Sequence, residues 1–155
     1  MRKPTLASLL ARPRTPKAMG TSIFFVDRSH RILLVLRDDT KGLPFPDCWD
    51  MPGGHVEPGE TPVQCICREM NEEMGLHLED PSLFTVVDMP DRIECCFWQR
   101  ADFDTLRIRL TEGQRIQWFS EAEVARIPDH KLAFGFRPII TDFFRLRPFD
   151  RGPAP

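Results

Sequence analysis

The chain has no tyrosine and a single asparagine, Asn71. Twelve Phe and three Trp still supply aromatic bulk, and 41% of the 155 residues are hydrophobic, so neither lack removes the means to build a core. No apolar run approaches the roughly 18 residues that cross a bilayer, so membrane association is not expected. "TLASLLA" near the start is too short for a signal-peptide core with its cleavage site. An even cysteine set is also missing: there are five, two of them adjacent at Cys95 and Cys96. That is a poor disulfide framework, and reduced thiols in a cytoplasmic protein are expected. Zinc spacing is lacking too. Cys65 and Cys67 lie two apart on what should be a helix and so point to nearly opposite sides. His30, His55, His77 and His130 are scattered.

Acidic residues are absent from the first 18 positions, where Arg2, Lys3, Arg12, Arg14 and Lys17 stand, leaving 16 of the 21 basic residues against all 23 acids. Residues 1–17 read as a basic, disordered arm. Residues 18–147 read as one domain and 148–155 as a disordered tail. A nucleic-acid partner is not expected, and a homodimer stays open.

Apolar runs on either side of Asp27–His30 predict a β-hairpin. A turn-rich loop and the Gly- and Pro-broken "WDMPGGHVEPGE" follow. Thr61, Pro62 and Gln64 predict a helix start with a capping box, and Gly75 its end. Downstream, "LFTVVDM", "RIECCFWQ", "TLRIRL" and "RIQWF" read as strands. Ser120 and Glu123 predict a short second helix, and Ile139, Ile140, Phe143 and Phe144 recur at helical period. The order predicts an α+β layered domain with a mixed sheet between helices rather than a doubly wound one.

Glu57, Glu60, Glu69, Glu72 and Glu73 crowd into and just ahead of the first helix. At about 100° per residue, Glu69, Glu72 and Glu73 share one face, while Val63, Ile66, Met70 and Met74 form a separate apolar stripe. Like charges at these spacings repel, and acids late in a helix oppose its dipole. A hard divalent cation with oxygen ligands resolves that conflict; a solvated acidic face is the alternative. Cys65, one turn before Glu69, reads as a small filler.

Gly54, five residues, Glu60, seven residues, then "REMNEEMGL" is similar to the Nudix box at every defining position. Seven fixed residues at average usage match a given start by chance with odds of roughly 10⁻⁸. The resemblance implies an α/β/α sandwich that hydrolyses a diphosphate linking a nucleoside to another group. It implies Mg²⁺, with Mn²⁺ as a substitute, held by Glu69, Glu72, Glu73 and the Gly54 carbonyl, with Arg68 and Glu60 orienting those ligands. Either Glu69 or Glu112 would serve as base, because "TEGQ" resembles a Glu-Gly-Gln loop of MutT-type members. Arg37 and His55 are implied to face phosphate. Phe45, Trp49, Trp98, Trp118, Phe134 and Phe136 are candidates for base stacking, with Phe45 and Trp49 foremost. "LAFGFRPII" lacks the asparagine with which MutT-type members read oxidised guanine, so that base preference is not expected. A nucleoside triphosphate or related nucleotide is the first reading of the substrate. A nucleotide sugar or ADP-ribose is the alternative, and a silent nucleotide-binding module, which tends to lose box glutamates, is the rival class.

Overall fold

The computed structural model describes residues 17–151 together with Thr5 and Ala7. The expectation for the basic arm therefore falls almost wholly outside the described residues.

Strands β1 (Ala18–Val26) and β2 (Ile32–Leu36) form the expected hairpin. Asp27 organises the turn: its Oδ1 accepts from the backbone N–H of Ser29 at 3.0 Å and of Arg31 at 2.8 Å, and its Oδ2 accepts from Arg31 Nε at 2.7 Å. The two strands pair only at Val26 and Ile32 and then diverge. Into the gap runs the segment carrying β3 (Trp49–Asp50) and β4 (Gly53–His55). Strand β3 pairs with the far end of β2, and β4 with the near end of β1. Strand β6 (Arg92–Arg100) runs parallel to β1 along its whole length, with β5 (Ser82–Asp88) antiparallel outside it, and β7 (Arg115–Phe119) closes the other side against β2. The result is a mixed seven-stranded sheet.

Strand alternation divides the core in two. Phe24, Val26, Ile32, Leu34, Cys96 and Trp98 face α3 (Arg137–Leu146) and α2 (Glu121–Ala125), whose buried residues are Ile139, Ile140, Phe143 and Phe144, and Val124. Their neighbours Ile23, Phe25, Leu33, Cys95 and Phe97 face Ile66, Met70 and Met74 of α1 (Pro62–Met74). The expected layered α+β fold is the one observed. On the first face Phe24 stacks flat on Phe143 at 3.9 Å between ring centroids. Burying each such ring contributes about 1.5–3 kcal/mol.

Helix α1 starts and stops where its sequence directs. Thr61 Oγ1 accepts from Gln64 N at 3.2 Å while Gln64 Oε1 accepts from Thr61 N at 2.9 Å. Gly75 takes φ 65°, the left-handed conformation that lets its N–H reach Asn71 O. Within the helix, Val63 is exposed and Cys65 takes the buried place, its thiol 3.2 Å from Thr21 Oγ1. The expected stripe thus begins at Ile66.

Two other expectations need correction. "TLRIRL" is not a strand: Asp104 accepts from Leu106 N at 3.0 Å and winds Thr105–Arg107 into a 3-10 turn that leaves Leu106 exposed. Ile108 and Leu110 still pack against the α1 core. At the other end the chain stays ordered beyond Arg147, where Pro148–Asp150 form a 3-10 turn and Phe149 is fully buried beside Phe143 at 5.6 Å. All five cysteines are free. Among the described residues no helix is long and apolar enough to cross a membrane.

Candidate active site

The sheet presents α1 to the β3–β4 segment, and their junction collects most of the residues singled out from sequence. Gly54 pairs with Thr21 across β1, and Thr21 Oγ1 donates to the Gly54 carbonyl at 3.1 Å. A β-carbon on Gly54 would meet the Glu69 carboxyl carbon at 2.1 Å, so glycine is what lets helix and strand approach this closely.

Arg68 is the hub. Its Nε and Nη2 donate to the two oxygens of Glu60 at 2.7 and 3.1 Å, its Nη1 to Glu69 at 2.9 Å and Glu72 at 3.2 Å, and its Nη2 also to the His55 carbonyl at 3.1 Å. The forked pairing with Arg68 holds the Glu60 carboxyl down to about 2, and the same bonds raise the Arg68 guanidinium above its ordinary value. Glu69 and Glu72 are thereby oriented from the same side.

Glu73 lacks this help. Burial, together with the negative charges of Glu69, Glu112 and Asp50, pushes it up to about 8. Glu112 reaches the same cleft because its loop is tied down at both ends. Thr111 N donates to Glu73 O at 3.1 Å, Gly113 N to Asp38 Oδ2 at 3.1 Å, and Gln114 N to Leu36 O at 2.8 Å. The cleft, about 330 Å³, is lined by Glu73, Glu112, Gly53 and Arg37 among others.

Asp50 was not anticipated from sequence. It is buried, Arg37 Nη1 donates to its Oδ2 at 2.9 Å, and its Oδ1 has no partner. Burial pushes it up to about 6 against the pull of Arg37. The signal was an acid in a short strand opposite Val35 of an apolar run. Arg37 is therefore an ion-paired residue at the cleft, with its guanidinium 4.9 Å from the Phe134 ring.

Other candidates lie elsewhere. Register places His55 opposite Gly20, so its side chain is on the sheet face away from Gly54 and Glu69. Trp49 also faces away, edge-on to Phe119 at 4.7 Å. Trp98 and Phe136 are buried in one core and Trp118 packs against the other. Phe45, exposed, rests against Phe134 at 4.6 Å near Arg37. Cys65 is a protonated filler, its thiol pushed up to about 11 by burial.

The donors assembled here are hard oxygens. Among the described residues no three acidic, histidine or cysteine side chains already form a closed cage, and Glu69 and Glu72 are both hydrogen-bonded to Arg68. Even so, the crowded charge at Glu73, the orphaned Asp50 Oδ1 and the close Gly54–Glu69 approach fit a divalent cation of the Mg²⁺ type.

The NUDIX domain model matches residues 16–143, and the chain belongs to that family. An ADP-ribose pyrophosphatase from Methanocaldococcus jannaschii is 33% identical over 128 residues, covering 79% of this chain and 70% of that protein. An RNA pyrophosphohydrolase from Rhodospirillum rubrum is 26% identical over 122 residues, covering 76% and 66%. In fold, the crystal structure of a MutT protein from Methanosarcina mazei superposes with TM-score 0.70 at 21% identity, over 88% of this chain and 99% of that one. The protein is a Nudix hydrolase.

Proposed function

We propose that the chain hydrolyses the pyrophosphate bond of a nucleoside diphosphate derivative, with Mg²⁺, or Mn²⁺ in its place, held by Glu69, Glu72, Glu73 and the Gly54 carbonyl. The observation that carries the reading is the Arg68 hub, which fixes two of these glutamates at 2.9 and 3.2 Å and ties them to Glu60 and the His55 carbonyl. When bound, such an ion neutralises adjacent phosphates and makes water a better nucleophile.

The rest is done by side chains of the cleft. Arg37, steered by Asp50, offers its guanidinium to a phosphate oxygen. Of the two candidate bases, Glu69 already shares its charge with Arg68, whereas Glu112 has no hydrogen-bond or ion-pair partner among the described residues. Glu112 therefore takes the proton of the attacking water, and Glu69 holds position. The complete set of box glutamates supports catalysis over a silent binding role, and the free thiols fit a cytoplasmic setting.

A nucleoside triphosphate is the first reading of the substrate, since the cleft is small and the exposed Phe45 rests on Phe134, the ring beside the cleft's Arg37. ADP-ribose is the second, supported by the relative that is 33% identical. Product analysis with nucleoside triphosphates, oxidised guanine nucleotides, nucleotide sugars, ADP-ribose and 5′-triphosphate RNA, each with Mg²⁺ and with EDTA, tests the proposal. Metal-dependent cleavage of one class supports it; cleavage of none refutes it.

A further inference from the structure

A second concavity of about 430 Å³ lies outside the carboxylate cleft, where β3, the start of β7 and the chain after α2 meet. Strand alternation separates the two. Leu36 and Trp49 line this pocket, while their neighbours Arg37 and Asp50 line the cleft.

Three cations line it: Arg115, Arg126 and Lys131. Its two acids are already committed. Glu123 Oε2 accepts from Ser120 N at 2.7 Å as part of the α2 cap, and Asp47 accepts from Lys131 Nζ at 2.8 Å and Gln114 Nε2 at 3.0 Å. Among the described residues Arg115 and Arg126 form no ion pair. Lys131 is thus matched by Asp47, and the lining keeps one formal positive charge, carried by the arginine pair, on a domain whose acids outnumber its bases. The Arg115 guanidinium carbon lies 5.2 Å from the Trp49 ring centroid, and Phe119 meets the same indole edge-on at 4.7 Å. The guanidinium is backed by an aromatic, and Arg115 is otherwise exposed.

We propose that this pocket is a binding site for a nucleoside monophosphate, separate from the hydrolytic cleft. A planar cation supported by indole offers a stacking platform for a base. Arg126 lines the same pocket and receives the phosphate by forked hydrogen bonds, while Lys131 is held at its edge by Asp47 at 2.8 Å.

The test is calorimetric titration of the full chain with AMP in EDTA, where the metal-free carboxylate cleft repels phosphate. The outcome is then independent of the hydrolytic assignment. AMP is expected to bind once per chain and to weaken with salt. The Arg115→Ala/Arg126→Ala variant should lose at least about tenfold in affinity, and adenosine or inorganic phosphate alone should bind at least about tenfold more weakly than AMP. Both arginines are exposed, and Arg115→Lys, which keeps charge without the stacking plane, guards against misfolding: it should lose the preference of AMP over phosphate. No AMP binding, undiminished affinity in the double variant, or phosphate binding as tightly as AMP would overturn the proposal.

Discussion

Gly54 and Glu69 touch so closely that a β-carbon on the glycine would fall 2.1 Å from the glutamate's carboxyl carbon. The contact joins the wedge between β1 and β2 to the acidic face of α1, and it sets where that carboxylate points. Gly54→Ala should therefore displace Glu69 without unfolding the sheet. Turnover is expected to fall by about a hundredfold, the usual consequence of a roughly 1 Å misplacement in a site. Steady-state kinetics beside far-UV circular dichroism checks this, and unchanged kcat would show that the Glu69 position is immaterial.

Glu60 does not line the cleft, yet it holds both ends of the Arg68 fork at 2.7 and 3.1 Å. Glu60→Gln keeps the shape and removes the charge that anchors Arg68. Affinity for Mn²⁺, followed by its paramagnetic resonance signal, should drop about 10- to 100-fold, as when a partner behind a metal ligand is lost. Equal affinity would make the hub a mere helix clasp.

Phe149 gives a stability prediction that is independent of chemistry. It is fully buried beside Phe143 and His30. Phe149→Ala should cost about 3–5 kcal/mol. In a domain of this size that corresponds to a fall in Tm of roughly 10 °C, readable by calorimetry. A change within about 1 °C would mean that the turn after α3 adds nothing to the fold.

Helix α1 was legible because Thr61, Gln64 and Gly75 act locally, and the acidic face followed from helical spacing alone. Phe149 was hidden by Pro148 and the Gly- and Pro-rich residues after it, since burial depends on α3 returning to the sheet and not on neighbours in the chain. "TLRIRL" has the composition of a strand, but the Asp104 cap dominates locally. His55 and Trp49 stand beside Gly54 and Asp50 in sequence, but the strand period turns their side chains to the opposite face. Asp50 was missed for the same reason. A two-residue strand wedged between diverging neighbours carries no periodic pattern from which its facing could be inferred.

The central claim is that the glutamate face of α1 is a metal platform for hydrolysis, and Glu72 tests it most directly. Its carboxylate is exposed and, among the described residues, bonded to Arg68 alone at 3.2 Å, so Glu72→Gln removes a charge without opening the core. The measurement is the initial rate of wild type and Glu72→Gln across a Mg²⁺ titration, on whichever substrate class the product panel identifies. The account predicts no turnover in EDTA, a saturable rise with Mg²⁺ in the wild type, and a loss of at least about a hundredfold in the variant with its fold intact. Full activity in Glu72→Gln, or turnover that survives EDTA, would contradict it.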